Sequence, residues 1–293
     1  MPSSPSSSAQ AARQRLAEQL RDMRKAAGLS GRDFAALAGW ADATNVTKIE
    51  KAQRTITSEN VRLWCRVCGV SDDRLGELLI EQRNLAQMWQ SLRDHQGFGL
   101  NAVQKMTIGD MFSRVSSACT YQTKVIPGLL QTEEYMTEVL RGVRRDRQLV
   151  TDDVAEAVAV RMARQENLRR AGVRFWFLLE EAVLRYRYTS AEVHHRQLEH
   201  LKGVTRLPAV YAVAIIPGSI DRRNIRVRES FEIYAFPEGE TISQVELLTG
   251  LLTLTTIEDV AMYGRIWDEL MTISATGRAA HDLIDAAIRG LEG

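Results

Sequence analysis

The sequence predicts two domains of different class, an all-α helix-turn-helix head followed by an α+β body whose small mixed or antiparallel sheet is covered by helices. Three observations lead there. Four or five short helical patterns punctuated by glycine fill the first 70 or so residues, and four β-like runs bounded by proline and glycine follow residue 170. Charge divides the same way: residues 1–68 carry 11 basic and 6 acidic side chains, or +5, against 27 and 31, or −4, in the remainder. The net +1 of the 293-residue chain is therefore an average of a basic head and an acidic body.

The opening Pro2-Ser3-Ser4-Pro5-Ser6-Ser7-Ser8 has no apolar group to bury, so residues 1–10 read as a disordered arm. Leu16, Leu20 and Met23 then recur at helical spacing until Gly28, a natural helix end. Ser30 can cap a second helix with Phe34, Leu37 and Ala38 inward, stopped by Gly39. Asp42 to Ala52 turns Val46 and Ile49 inward, and Thr57-Ser58-Glu59-Asn60 caps a fourth helix with Val61, Leu63, Trp64 and Val67, ending near Gly69. These elements make a head over residues 11–80. A helical connector spans residues 81–116, with Leu85, Met88, Trp89 and Leu92 on one face and a break at Gly97-Phe98-Gly99.

The body, residues 117–293, starts with a Pro127-Gly128 turn, a helix from Thr132 through about Leu140, and another from Thr151-Asp152-Asp153 through Arg170. Its β-like runs are Arg174 to Leu179, Ala209 to Ile216, Ser230 to Phe236 and Ser243 to Leu248. A helical segment from Thr256 to Gly290 closes the chain.

The composition excludes a collagen, a disulfide scaffold and a disordered tail. No apolar run approaches the ~20 residues that span a bilayer, and nothing at the N-terminus resembles a signal peptide, so a cytoplasmic protein with reduced thiols is expected. No phosphate loop, nucleophile elbow or H-E-x-x-H is present, so neither an enzyme nor a cofactor or metal is expected. Cys65-Arg66-Val67-Cys68 lacks the second pair that zinc needs. His194-His195 with His200 reads as surface or partner-contacting histidine. Glu180-Glu181 reads as a cap or buried acceptor, and the run from Arg141 to Arg147 as a solvated face.

Phe34-Ala35-Ala36-Leu37-Ala38-Gly39-Trp40 followed by Thr44-Asn45-Val46-Thr47-Lys48-Ile49-Glu50-Lys51 resembles the Xre, or lambda-repressor-like, helix-turn-helix. The chain departs from that family's pattern at Ala52, where glycine is usual, and at Asn45, where a longer basic residue is frequent. Val125-Ile126-Pro127-Gly128-Leu129-Leu130-Gln131-Thr132-Glu133-Glu134-Tyr135, with Arg161-Met162-Ala163-Arg164-Gln165-Glu166 downstream, is similar to the C-terminal domain of actinobacterial regulators that pair an Xre head with an antitoxin-like body. The resemblance implies a structural role for Glu50 and a small partner protein, encoded nearby, bound by the body.

The residue types and their positions on the third helix single out a reading surface. Thr44, Asn45 and Lys48 occupy the N-terminal half, the part that enters a major groove, and asparagine suits a bidentate contact with adenine. Arg32, Thr47, Lys51, Arg54 and Thr55 are placed to grip phosphates. One head covers too little DNA for tight binding, so a homodimer on a pseudo-palindromic operator of double-stranded DNA is expected. The alternative to a protein partner is a small-molecule ligand held between sheet and helices near Trp176, Tyr186 and Tyr211.

Overall fold

The computed structural model describes residues 5–54, 56–91, 99–100, 111–247 and 250–291, and divides into two compact units, 1–90 and 91–293. The first is all helical up to its last residues: α1 Pro5–Ala26, α2 Gly31–Leu37, α3 Thr44–Glu50, α4 Ser58–Cys68 and α5 Asp72–Met88. Capping boxes start α2, where Ser30 and Asp33 exchange side-chain-to-backbone bonds, and α4, where Thr57 and Asn60 do the same. Phe34 and Trp64 rings pack 4.3 Å apart at the centre with Trp40 edge-on to both, over Leu16, Leu20, Val46 and Ile49.

Three expectations for this unit are corrected. The arm assigned to residues 1–10 is helical from Pro5, because proline's fixed φ suits a first turn and Ala9-Gln10-Ala11-Ala12 propagates it. Leu37, expected inside, is 62% exposed; the short α2 turns Phe34 and Ala35 to the core instead. The connector's first helix stops before the expected break at Gly97: α5 ends at Met88 after Leu85 reaches the head core, and Trp89–Ser91 is extended. Leu92, Gly97 and Phe98 lie outside the described residues.

The second unit is built on a mixed sheet. Its six strands are β1 Ser117–Gln122, β2 Arg174–Glu180, β3 Val210–Ile216, β4 Phe231–Ala235, β5 Thr241–Leu247 and β6 Gly250–Leu254, in the order β6-β5-β4-β1-β2-β3. β1, β2 and β3 run parallel; β4, β5 and β6 join antiparallel on the other side of β1. Parallel neighbours require crossovers. The first contains α6 Glu133–Asp146 and α7 Val154–Arg164, the second α8 Ala191–Val204. The face carrying Phe175, Phe177 and Leu179 packs under α8 and the last helix, α10 Gly277–Arg289. On the opposite face Phe231 meets Tyr263 of α9 Ile257–Thr272 at 4.9 Å between rings.

β1 and β6 have no counterpart in the sequence reading. β1 mixes Ser117, Ala118, Cys119 and Thr120, small and polar side chains whose two-sided burial only the finished sheet explains. The expected final helix is two, because Ala275 leaves the helical path to exchange backbone bonds of 2.7 and 2.9 Å with Ile215 on the edge strand β3. At the start of that strand Ala209 donates its N–H to the Leu168 carbonyl at 3.1 Å.

Candidate functional site

In the head, α3 is held so that one face stays outward. Just ahead of it the Asp42 carboxylate accepts from the Thr44 N–H at 2.6 Å, while Val46 and Ile49 are buried. Glu50, 8% exposed, receives two bonds from Arg24, Nε at 2.6 Å and Nη2 at 2.8 Å; Arg24 Nη1 also donates to the Leu29 carbonyl. This charge-assisted fork ties α1 to the end of α3. The structural role implied for Glu50 has a physical basis in that clamp.

Of the expected reading residues, Thr44 and Lys48 are exposed and Asn45 half-buried. Arg32, Lys51 and Arg54 are exposed around them. Thr47 is exposed too, but its hydroxyl donates to the Ala43 carbonyl at 3.1 Å, within its own helix. Thr55 lies outside the described residues. One contact could not be read from spacing: Arg54 Nη1 donates to Asn45 Oδ1 at 2.5 Å. It arises because Ala52, at φ +53°, folds the chain back over α3.

In the body, β2 and β3 bring Trp176 and Tyr211 together, ring centroids 5.0 Å apart. Tyr211 is 69% exposed and Tyr186, beside Tyr188, is 44% exposed. Trp176, half-buried, alternates with Phe175 and Phe177 and points to the other face, the one on which α9 packs. An open groove of about 480 Å³ lies between α6 and α7, lined among others by Glu133, Arg141, Val154, Val158 and Met162.

The two sequence motifs meet. Gln165 Nε2 donates to the carbonyls of Gly128 and Gln131 at 3.2 and 2.6 Å, Gln131 Nε2 to Ile126, and Gln197 bridges the Leu130 carbonyl and the Thr132 N–H. The Pro127-to-Thr132 turn is stitched in place by three glutamine amides. Glu180, 7% exposed, is the buried acceptor expected of the Glu180-Glu181 pair, bonded by Tyr121 Oη at 2.5 Å and by Arg222. Glu181 accepts from Gly218 N–H at 2.8 Å and from Arg185, and those bonds hold its carboxyl below the usual range. His194 is buried rather than superficial, its Nε2 2.9 Å from the Leu184 carbonyl. Burial pushes the Cys65 and Cys68 thiols up, away from reactive thiolate. Among the described residues no group of three or more His, Cys, Asp or Glu is placed to hold a metal, and no helix is long and apolar enough to cross a membrane.

Compared with known families, residues 15–78 match a family model described as a helix-turn-helix domain, and residues 106–286 match one described as a domain of unknown function (DUF5753). No curated protein and no solved structure matches the chain.

Proposed function

Because the chain belongs to the DUF5753 family and carries a helix-turn-helix domain in front, we propose that it is a sequence-specific transcriptional regulator of the Xre type. The observation that carries this is the exposed face of α3, braced by the Arg24–Glu50 fork and bare of apolar side chains. Thr44, Asn45 and Lys48 read bases in the major groove, while Arg32, Thr47, Lys51 and Arg54 hold phosphates. A homodimer presents two such heads to a pseudo-palindromic operator. A small protein partner regulates it through the body. The exposure of Tyr211 beside Trp176 and the mixed apolar and charged groove between α6 and α7 suit a protein better than an enclosed ligand.

The test is binding to an operator selected from random duplexes, measured across salt concentrations. Lys48→Ala lowers discrimination by about 1–3 kcal/mol at one base position. Arg54→Ala weakens cognate and random DNA alike and reduces the salt slope by about one. Equal effects of both variants on all sequences refute these roles, and a protein that stays monomeric on its operator refutes the dimer.

A further inference from the structure

The side chains along the open groove of about 480 Å³ between α6 and α7 fall in rows four residues apart. Glu133, Thr137 and Arg141 line it from α6. Two rows come from α7: Val154, Val158 and Met162, whose valines are buried, and Ala155 with Ala159, both exposed. Rows at i and i+4 are the ridges between which a ridge of another helix settles. With nothing beyond Cβ on the two alanines, the backbone of such a helix can come close to α7.

Charge narrows the occupant. Two of the lining charges are already paired, Arg141 with Glu138 at 2.6 Å and Asp152 with Arg144 at 2.9 Å. Among the described residues the exposed Glu133 carboxylate has no side-chain partner. It stands two turns, roughly 12 Å, along α6 from Arg141, so one end of the groove is negative and unmatched. The groove also adjoins the place where the connector is tied to the body. Leu100, 1% exposed, clusters with Val154 and Val158, and its N–H donates to Asp153 Oδ1 at 3.0 Å.

We propose that the groove docks a cationic amphipathic helix of a partner protein, its apolar ridge over Val158 and Met162 and a lysine or arginine on Glu133. The inference rests on the reading that a small protein regulates the chain through its body, and it adds that partner's chemistry and its seat. An occupant there bears on the residues that hold Leu100, which gives the binding event a route to the connector.

Full-length protein is panned against two phage-displayed libraries, amphipathic helices of about 18 residues and disulfide-closed loops. The helix library yields binders enriched in lysine or arginine at one end of the apolar face, and a central proline abolishes their binding. In fluorescence anisotropy Ala155→Arg and Ala159→Arg, which fill the groove and suit a helix surface, each weaken that binding about tenfold or more. Ala163→Arg, exposed on the same helix but outside the groove, leaves it unchanged. Glu133→Gln weakens it about two- to fivefold and lowers its salt dependence. Helical binders that ignore both alanine variants or carry acid in place of base, or binders from the loop library alone, overturn the docking site and leave the partner-protein reading standing. No binder from either library overturns both. Dissociation of the dimer in the alanine variants identifies a second copy as the occupant and likewise overturns the proposal.

Discussion

Glu50 shares α3 with Thr44, Asn45 and Lys48 but turns the other way, into Arg24 of α1. Both partners are nearly buried, so truncating one leaves the other charged and unmatched. Arg24→Ala is expected to cost about 3–5 kcal/mol in chemical denaturation, and the double replacement Arg24→Met with Glu50→Leu markedly less. The helix carrying Glu50 is evident from its apolar spacing; its partner, 26 residues upstream, is not, because only the packed α1–α3 crossing brings them together. Glu232 behaves differently. Burial pushes its carboxyl up to about 7, reinforced by Glu246 and opposed by the Tyr234 hydroxyl and Arg161. A carboxyl raised in the folded state contributes stability that is full below its ordinary 4.5 and is lost as pH rises through about 7. Body stability is therefore expected to fall between about pH 4.5 and pH 7, in a cluster where Arg161, Arg164, Arg147, Glu246 and Tyr234 are the facing groups. Glu232→Gln should flatten that part of the unfolding-midpoint profile; an unchanged slope would contradict the assignment.

At the scale of elements, helix endings are the most readable features and sheet neighbours the least. α3 ends with Gln53 N–H on the Lys48 carbonyl at 2.8 Å and Ala52 N–H on Ile49 at 2.9 Å, a Schellman closure whose left-handed residue is Ala52. The same closure after α1, α2 and α4 uses Gly28, Gly39 and Gly69, which the sequence marks as stops. Ala52 pays a conformational penalty that glycine avoids, although its methyl is buried. Ala52→Gly is expected to change stability by no more than about 1 kcal/mol, in the stabilising direction, and Ala52→Val to destabilise by about 2 kcal/mol or more, read from denaturation midpoints. Retention of wild-type stability by Ala52→Val would show that the turn carries no strain. The body's four apolar runs correspond to β2 to β5, since alternation and flanking turns are local signals. β1 escaped because all its side chains but Tyr121 are small or polar and its position between β2 and β4 is set by partners more than 50 residues away. The site residues divide the same way: Thr44 and Lys48 follow from helix phase, whereas the Arg54–Asn45 contact requires tertiary structure.

For the whole molecule, the two units have separate cores, one around Phe34 and Trp64 and the other around Phe175 and Phe177. Denaturation followed by calorimetry is expected to resolve two transitions, with Arg24→Ala lowering one and leaving the other in place. A single cooperative transition shifted as a whole would contradict that independence. Divided at residue 90, the two units carry +3 and −2, so the long-range field of a polyanion such as DNA favours approach by the first unit over the second. The clasps on β3, Ala209 to Leu168 at one end and Ile215 to Ala275 at the other, have a bearing on self-association. An open strand edge is a template on which further copies add backbone to backbone without limit. With both ends of β3 already spoken for, only its short middle is left, too little to seed a growing ribbon. At high concentration two copies can touch along this side and still separate.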